Sequence, residues 1–266
     1  MLTTTPLAPA ERRLLRDEVL LVLGVSLAAS AIWSLLRLVE RMTRGVPLAQ
    51  QTAALNVSRT PDRPWLDLVY QLTGLLLALV PVLLALHLLN RRPGGAVRLI
   101  GLDPRGKDLL TGAGLAALIG VPGLGLYLAA WYLGISATIS PANLAAVWWA
   151  VPVLILAATQ NAVLEEVVGV GYLLTRLQEL GWRSAAAVGA HALLRGCYHL
   201  YQGFGGFIGN VLMGVVFAGF YLRFRRVLPL VVAHTLIDVV AFVGYGVFRE
   251  EVDAALAALR DWVPSR

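Results

Sequence analysis

Long apolar runs separated by short polar segments organise the chain. They lie at about Val19–Leu36, Trp65–Leu89, Leu109–Leu133, Leu144–Leu174, Ser184–Tyr201, Gly205–Phe224 and Leu228–Phe248. Each is long enough to span the ~30 Å hydrocarbon core of a bilayer. The run Leu144–Leu174 exceeds one straight crossing, and Pro152 is expected to kink or divide it. The pattern predicts an all-α fold, a polytopic membrane helix bundle of seven to eight transmembrane helices. Residues 1–143 form a scaffold of about three spans, residues 144–248 a second helix bundle, and residues 249–266 a short tail. In that tail Val252, Leu256, Leu259 and Trp262 predict an amphipathic helix outside the bundle.

The first run has a second interpretation. Arg12, Arg13 and Arg16 precede it, and Ala29-Ser30-Ala31 has the small-x-small form of a signal-peptidase site. Ile32, Trp33, Leu35 and Leu36 carry the apolar stretch past that site, so an uncleaved first helix is expected. Two glycine clusters, Gly120–Gly125 and Gly203–Gly219, include Gly205-x-x-x-Gly209 and predict close helix packing. No Gly-Lys-Ser/Thr follows either cluster, so a phosphate loop is not supported.

Composition excludes several function classes. The 266 residues are 58% hydrophobic and 14% charged, against roughly 45–50% and about 25% in soluble domains. A soluble enzyme, a nucleic-acid binder and a disordered chain are thereby disfavoured, and a mean hydropathy of +0.72 agrees. The basic excess, carried by arginine and the single Lys107, follows the positive-inside rule rather than a polyanion partner. Arg91, Arg92, Arg98, Arg105 and Lys107 lie in one segment between runs, and Arg176–Arg183 and Arg223–Arg226 are basic too. The alternate segments Gly134–Asn143 and Gln202–Phe204 carry no charge. The basic segments are therefore expected in the cytoplasm and the protein in the cell membrane. The Arg-bearing loop Arg37–Arg63 breaks this pattern and is expected to lie partly on the membrane. The lone Cys197 excludes a disulfide framework.

Ionisable groups deep in apolar helices are costly and mark function. That set is Glu165, Glu166, His191, Arg195, His199, His234 and Asp238, all in the C-terminal half. His234 and Asp238 share a helix face at i, i+4, and His191, Arg195 and His199 form a stripe at i, i+4, i+8. Glu165 and Glu166 stand about 100° apart, so one can face a cavity while the other supports it. A general-base site, a metal site and a proton relay all remain open. No His-Glu-x-x-His or Gly-x-Ser-x-Gly is present, Asp238 is the only deep Asp, and Cys197 points away from His199. Water activated by Glu and His fits best among hydrolytic chemistries.

The stretches NAVLEEVVGVGYLLTRLQELGW, LLRGCYHLYQGFGGFIGNVLMGVVFAGFYLR and RVLPLVVAHTLID resemble the CPBP family. These are the type II, Rce1-like CAAX prenyl proteases and the Abi-type bacteriocin-processing proteins. The family pattern EExxxR, FxxxH, HxxxN/D occurs in order over roughly Ala145 to Val243. The resemblance implies an intramembrane endopeptidase acting on a peptide or lipidated peptide in the bilayer, with no nucleic-acid partner. It implies catalytic residues Glu165, Glu166, His199, His234 and Asp238. Glu165 with His199 would activate water, Glu166 would orient the group, and His234, oriented by Asp238, would hold the oxyanion. A divalent metal such as Zn, on Glu165, His199 and His234, is equally compatible with these residue types. Two positions depart from the pattern: Val170 stands where the motif has Arg, and Arg195 where it has Phe. Arg195 is expected to supply the missing positive charge across the helix interface, as a supporting residue. The missing Arg also suits a non-catalytic adaptor or immunity protein, and the Glu and His residues could alternatively serve a proton-coupled carrier. Counted from the basic ends, His234, Glu165 and His199 lie at about 10, 16 and 24 Å. They can meet only if the fifth helix is short, tilted or broken.

Overall fold

The computed structural model describes residues 8–260. The fold is nearly all-α, and its helices follow the apolar runs with instructive exceptions. The first run is two helices, α1 (Pro9–Gly24) and α2 (Leu27–Met42), bent by 48°. The second is α3 (Pro64–Ala78) and α4 (Val80–Leu89), which pass as one span, followed by the short α5 (Ala96–Leu99). The third is α6 (Asp108–Tyr132).

The expected break at Pro152 is absent. This residue sits in the first turn of α7 (Ala150–Leu164), where a missing N–H costs nothing. The helix continues through a π-helical stretch, Glu165–Tyr172, into α8 (Leu173–Glu179). Together these form one 30-residue span, the most enclosed in the protein: 56% of its apolar window is buried, against 6% for the lipid-facing α6.

The fifth run does not fold as a full crossing. Its α9 (Ser184–Tyr198) has 15 residues and gives way at His199 to a tight turn, Leu200–Gln202. Gly203, with φ +97°, then redirects the chain, and a Cβ there would lie 2.7 Å from the Ile135 carbonyl. The bundle is completed by α10 (Phe204–Phe224) and α11 (Leu228–Val247), with α12 (Arg249–Arg260) beyond it. Among the described residues five helices are long and apolar enough to cross a membrane, or six counting the bent α1–α2 pair as one span. The expected seven to eight are not reached, because α9 is too short and Leu144–Leu174 is not divided. The expected apolar face of the tail rests on Leu256, Leu259 and Trp262, which fall outside the described side chains.

The loop after α2 is structured. It contributes β1 (Thr52–Ala54), paired in parallel with β2 (Thr138–Ser140) in the uncharged loop after α6. An isolated bridge from Ser136 to Gly203 ties this small sheet to the turn that follows His199. The end of α9 is therefore clamped by a long-range, hydrogen-bonded loop structure.

Within the bundle α9 packs on α10 and α2, and α11 on α6 and α7. Small residues permit these approaches. A Cβ on Gly214 would lie 2.9 Å from the Ala192 Cα, and one on Gly205 would strike Ala130 of α6. The Gly205-x-x-x-Gly209 pair thus packs at its first glycine only, since Gly209 meets nothing closer than Leu126 at 3.5 Å.

Gly112 of α6 is closed in by Val232 of α11, 2.5 Å from a built Cβ, whereas Gly114 has open space. Gly112→Val should destabilise the bundle by about 1–3 kcal/mol, as overpacking does. Gly114→Val should leave the thermal midpoint in detergent unchanged, and thermal unfolding of the two variants checks the difference.

Candidate active site

Three helices deliver the deep ionisable groups to one place. The start of the π-helical stretch presents Glu165 and Glu166, α9 presents Arg195 from its last turn, and α11 presents His234 and Asp238. Glu166 and Arg195 are sealed from solvent, each with 0% of its side chain exposed. Their ion pair closes at 2.8 Å between Arg195 Nη1 and Glu166 Oε1. Arg195 Nη2 lies 3.4 Å from Glu165 Oε2, so one guanidinium faces both carboxylates. Its plane also packs over Phe217 of α10, 5.4 Å from the ring centroid, and Nη2 lies 3.4 Å from the Met213 sulfur. The charge expected from the missing motif Arg thus arrives from the neighbouring helix.

His234 completes the cluster. Its Nδ1–H donates to Glu166 Oε1 at 2.8 Å, and Nε2 lies 3.7 Å from Asp238 Oδ2. With Nδ1 so committed, the 3.4 Å approach of Arg195 Nη2 is a packing contact rather than a hydrogen bond. Glu165 and Asp238 are the more accessible carboxylates, with 14% and 19% of their side chains exposed. Accessibility therefore separates the two: Glu166 is an interior strut, and Glu165 remains partly accessible.

His199 stands at the edge of this cluster, capping the end of α9. Its Nδ1–H donates to the Arg195 carbonyl at 3.1 Å, which leaves Nε2 as the proton-accepting nitrogen. Its ring packs 4.7 Å from that of Tyr198, whose hydroxyl donates to Glu165 Oε2 at 2.9 Å. His191, one turn before Arg195, does not join the site. It is buried against Gly169 of the π-helical stretch, on the α2 side.

Several contributors escaped the sequence. Tyr198 bridges His199 and Glu165, and Met213 and Phe217 enclose Arg195. Met213 and Phe217 carry no signal apart from general apolarity.

Glu165, Glu166 and His234 each offer a ligand atom within 4.8 Å of the others. This differs from the expected set, because His199 is absent from it and Glu166 is present. Glu166 Oε2 has no hydrogen-bond partner among the described residues and is free to ligate. Arg195 already touches both carboxylates with the positive charge that a divalent ion would otherwise bring. His234 donates Nδ1–H to Glu166, which leaves Nε2 as its nitrogen for an ion.

Residues 147–240 match the family described as Type II CAAX prenyl endopeptidase Rce1-like. The segment bearing the site is thus Rce1-like in sequence, which supports placing the chain in the CPBP/Rce1-like family. No curated protein and no solved structure matches the chain.

Breaking one member of a buried ion pair costs about 3–5 kcal/mol, whereas replacing both members is often nearly neutral. Arg195→Met should lose that much stability, and Glu166→Gln added to it should recover most of the loss. A double-mutant cycle by thermal or chemical unfolding in detergent measures the coupling.

Proposed function

We propose that the protein is an intramembrane endopeptidase, hydrolysing a peptide bond in a membrane-associated peptide or lipidated peptide with a water activated by Glu165 and His199. The observation that carries this is the division of labour between the two adjacent carboxylates. Glu166 is locked by Arg195 and His234, and Glu165 is left beside Tyr198 and the half-buried His199 on the accessible side. The Rce1-like match over 147–240 supports a protease, and the apolar spans support a substrate that reaches the site through the membrane.

In this mechanism water lies between Glu165 and Nε2 of His199, which together take its proton as its oxygen attacks the scissile carbonyl. The tetrahedral intermediate collapses, the C–N bond breaks, and the stored proton passes to the leaving amine. Because Nδ1 of His234 is held by Glu166, Nε2 is the nitrogen free to meet the oxyanion. Asp238, 3.7 Å from that nitrogen, orients the ring toward the oxyanion. Tyr198 fixes the Glu165 carboxylate. Arg195 positions both glutamates and does not touch the substrate. The mechanism needs no metal, since the positive charge that two buried carboxylates require comes from Arg195.

Two further features of this proposal follow the charge pattern: the basic segments face the cytoplasm of a cell membrane, and residues 144–248 form the catalytic bundle. The adaptor alternative drew its support from the missing motif Arg. The pair between Arg195 and Glu166 supplies that charge and removes the support. A carrier would need polar groups in two repeated halves, and the deep groups here gather in one.

Purified protein incubated with lipidated and unlipidated peptides should cleave at least one class. Glu165→Ala and His199→Ala should each lower the rate by about 100-fold or more while the fold is retained, the scale of a lost general base. Metal chelators should leave the wild-type rate within about twofold. A chelated enzyme that is dead and revived by Zn would overturn the metal-free mechanism, and wild-type inactivity across a broad peptide library would overturn the protease assignment.

A further inference from the structure

Behind the catalytic helix, α1 leaves an open groove of about 630 Å³ between itself, the end of α8 and α9. Its α1 wall is a single helix face. Arg12, Arg16, Leu20 and Leu23 line it at spacings of four, four and three, so they stack one above the next. That face is basic where the helix begins and apolar about 10 Å further on. Leu177 of α8 and Leu194 of α9 form the opposite apolar wall. Arg13 adds a third positive charge at the basic end, and Trp182 lines the groove just past α8.

The charge in this groove is not consumed by the protein. Arg12 and Arg13 are exposed and form no ion pair among the described residues, and Arg16 reaches only Asp17, at 3.7 Å on the surface. The groove itself is held open by a buried tie. Arg176 of α8, 4% exposed at its side chain, pairs with Glu18 of α1 at 2.8 Å, and Tyr172 donates to the same carboxylate at 3.0 Å. Glu18 thus turns inward to fix α1 against α8, while the three arginines remain on the outer end.

Three exposed arginines, one of them in a surface pair with Asp17, stand at one end of an apolar channel and complement one kind of molecule, an anion joined to a hydrocarbon chain. A free anion would leave the leucine walls unused, and a neutral lipid would leave the arginines unused. Basic pockets between membrane helices take anionic headgroups in this way. We propose that this groove binds a single anionic phospholipid, its phosphate on Arg12, Arg13 and Arg16 and one acyl chain along Leu20, Leu23, Leu177 and Leu194. Because α8 runs on from the stretch bearing Glu165 and Glu166, the lipid braces the catalytic helix from behind. The site is independent of the protease assignment, since it concerns binding alone.

Native mass spectrometry of the detergent-purified protein, titrated with phosphatidylglycerol and with phosphatidylcholine of the same chain length, tests this. One phosphatidylglycerol should bind about tenfold or more tightly than phosphatidylcholine, a difference of about 1.4 kcal/mol. The variant Arg12→Gln/Arg13→Gln/Arg16→Gln should lose the preference. Leu20→Trp, which keeps every charge but fills the channel from an exposed position, should lose it as well, with thermal midpoints unchanged in both. Equal affinity for the two lipids would overturn the proposal. So would a full preference retained by Leu20→Trp, because the arginines would then be an open surface patch. Competition by glycerol phosphate as effective as that by phosphatidylglycerol would overturn it too, leaving an anion site with no role for the chain.

Discussion

Two consecutive carboxylates inside an apolar helix bundle repel one another and lose much of their hydration, and the sealed Glu166 can recover none of it from water. The surrounding structure is arranged around the relief of that cost. A guanidinium suits the task better than an ammonium, because its planar fork can address two carboxylates at once and it is more weakly hydrated. Arg195 does this from α9, reaching Glu166 at 2.8 Å and Glu165 at 3.4 Å. Everything close to Arg195 serves that contact. Phe217 and Met213 wall it off, Gly214 lets α10 approach the α9 backbone, and His234 donates to the same Glu166 oxygen.

From this pair the different fates of the two glutamates follow. Glu166 spends its bonded oxygen on Arg195 and His234 and becomes part of the frame. Glu165 receives the longer guanidinium contact and one hydroxyl, and it remains partly exposed. The same α9 turn that supplies Arg195 also orients His199, through the Arg195 carbonyl. The small sheet between distant loops then holds the turn after His199 in place. Charge compensation, base orientation and loop anchoring are thus consecutive along one short stretch of chain.

Much of this was legible in the sequence, for identifiable reasons. Apolar run length located the spans, and the loss of Arg at Val170 with its gain at Arg195 pointed to the cross-helix pair before any coordinates. What escaped depended on geometry that residue type does not encode. Ser184–Tyr201 holds no proline and reads as one run long enough to span, so nothing announces that α9 stops at Tyr198. The π-helical stretch after Leu164 and the harmless position of Pro152 depend on where α7 begins. The pairing of Thr52–Ala54 with Thr138–Ser140 joins loops too short and mixed to show a strand period.

The central claim is that Arg195 supplies from α9 the positive charge the two glutamates require, where the EExxxR pattern has Arg at the position of Val170. Its most direct test is the peptide-cleavage rate of Arg195→Phe with and without Val170→Arg, which restores the family pattern at both positions. If the charge is what the site requires, Arg195→Phe alone is inactive and the double variant regains activity to within about tenfold of wild type, a residual loss of about 1.4 kcal/mol or less. An Arg195→Phe enzyme as active as wild type, or a double variant as inactive as the single one, would contradict the account.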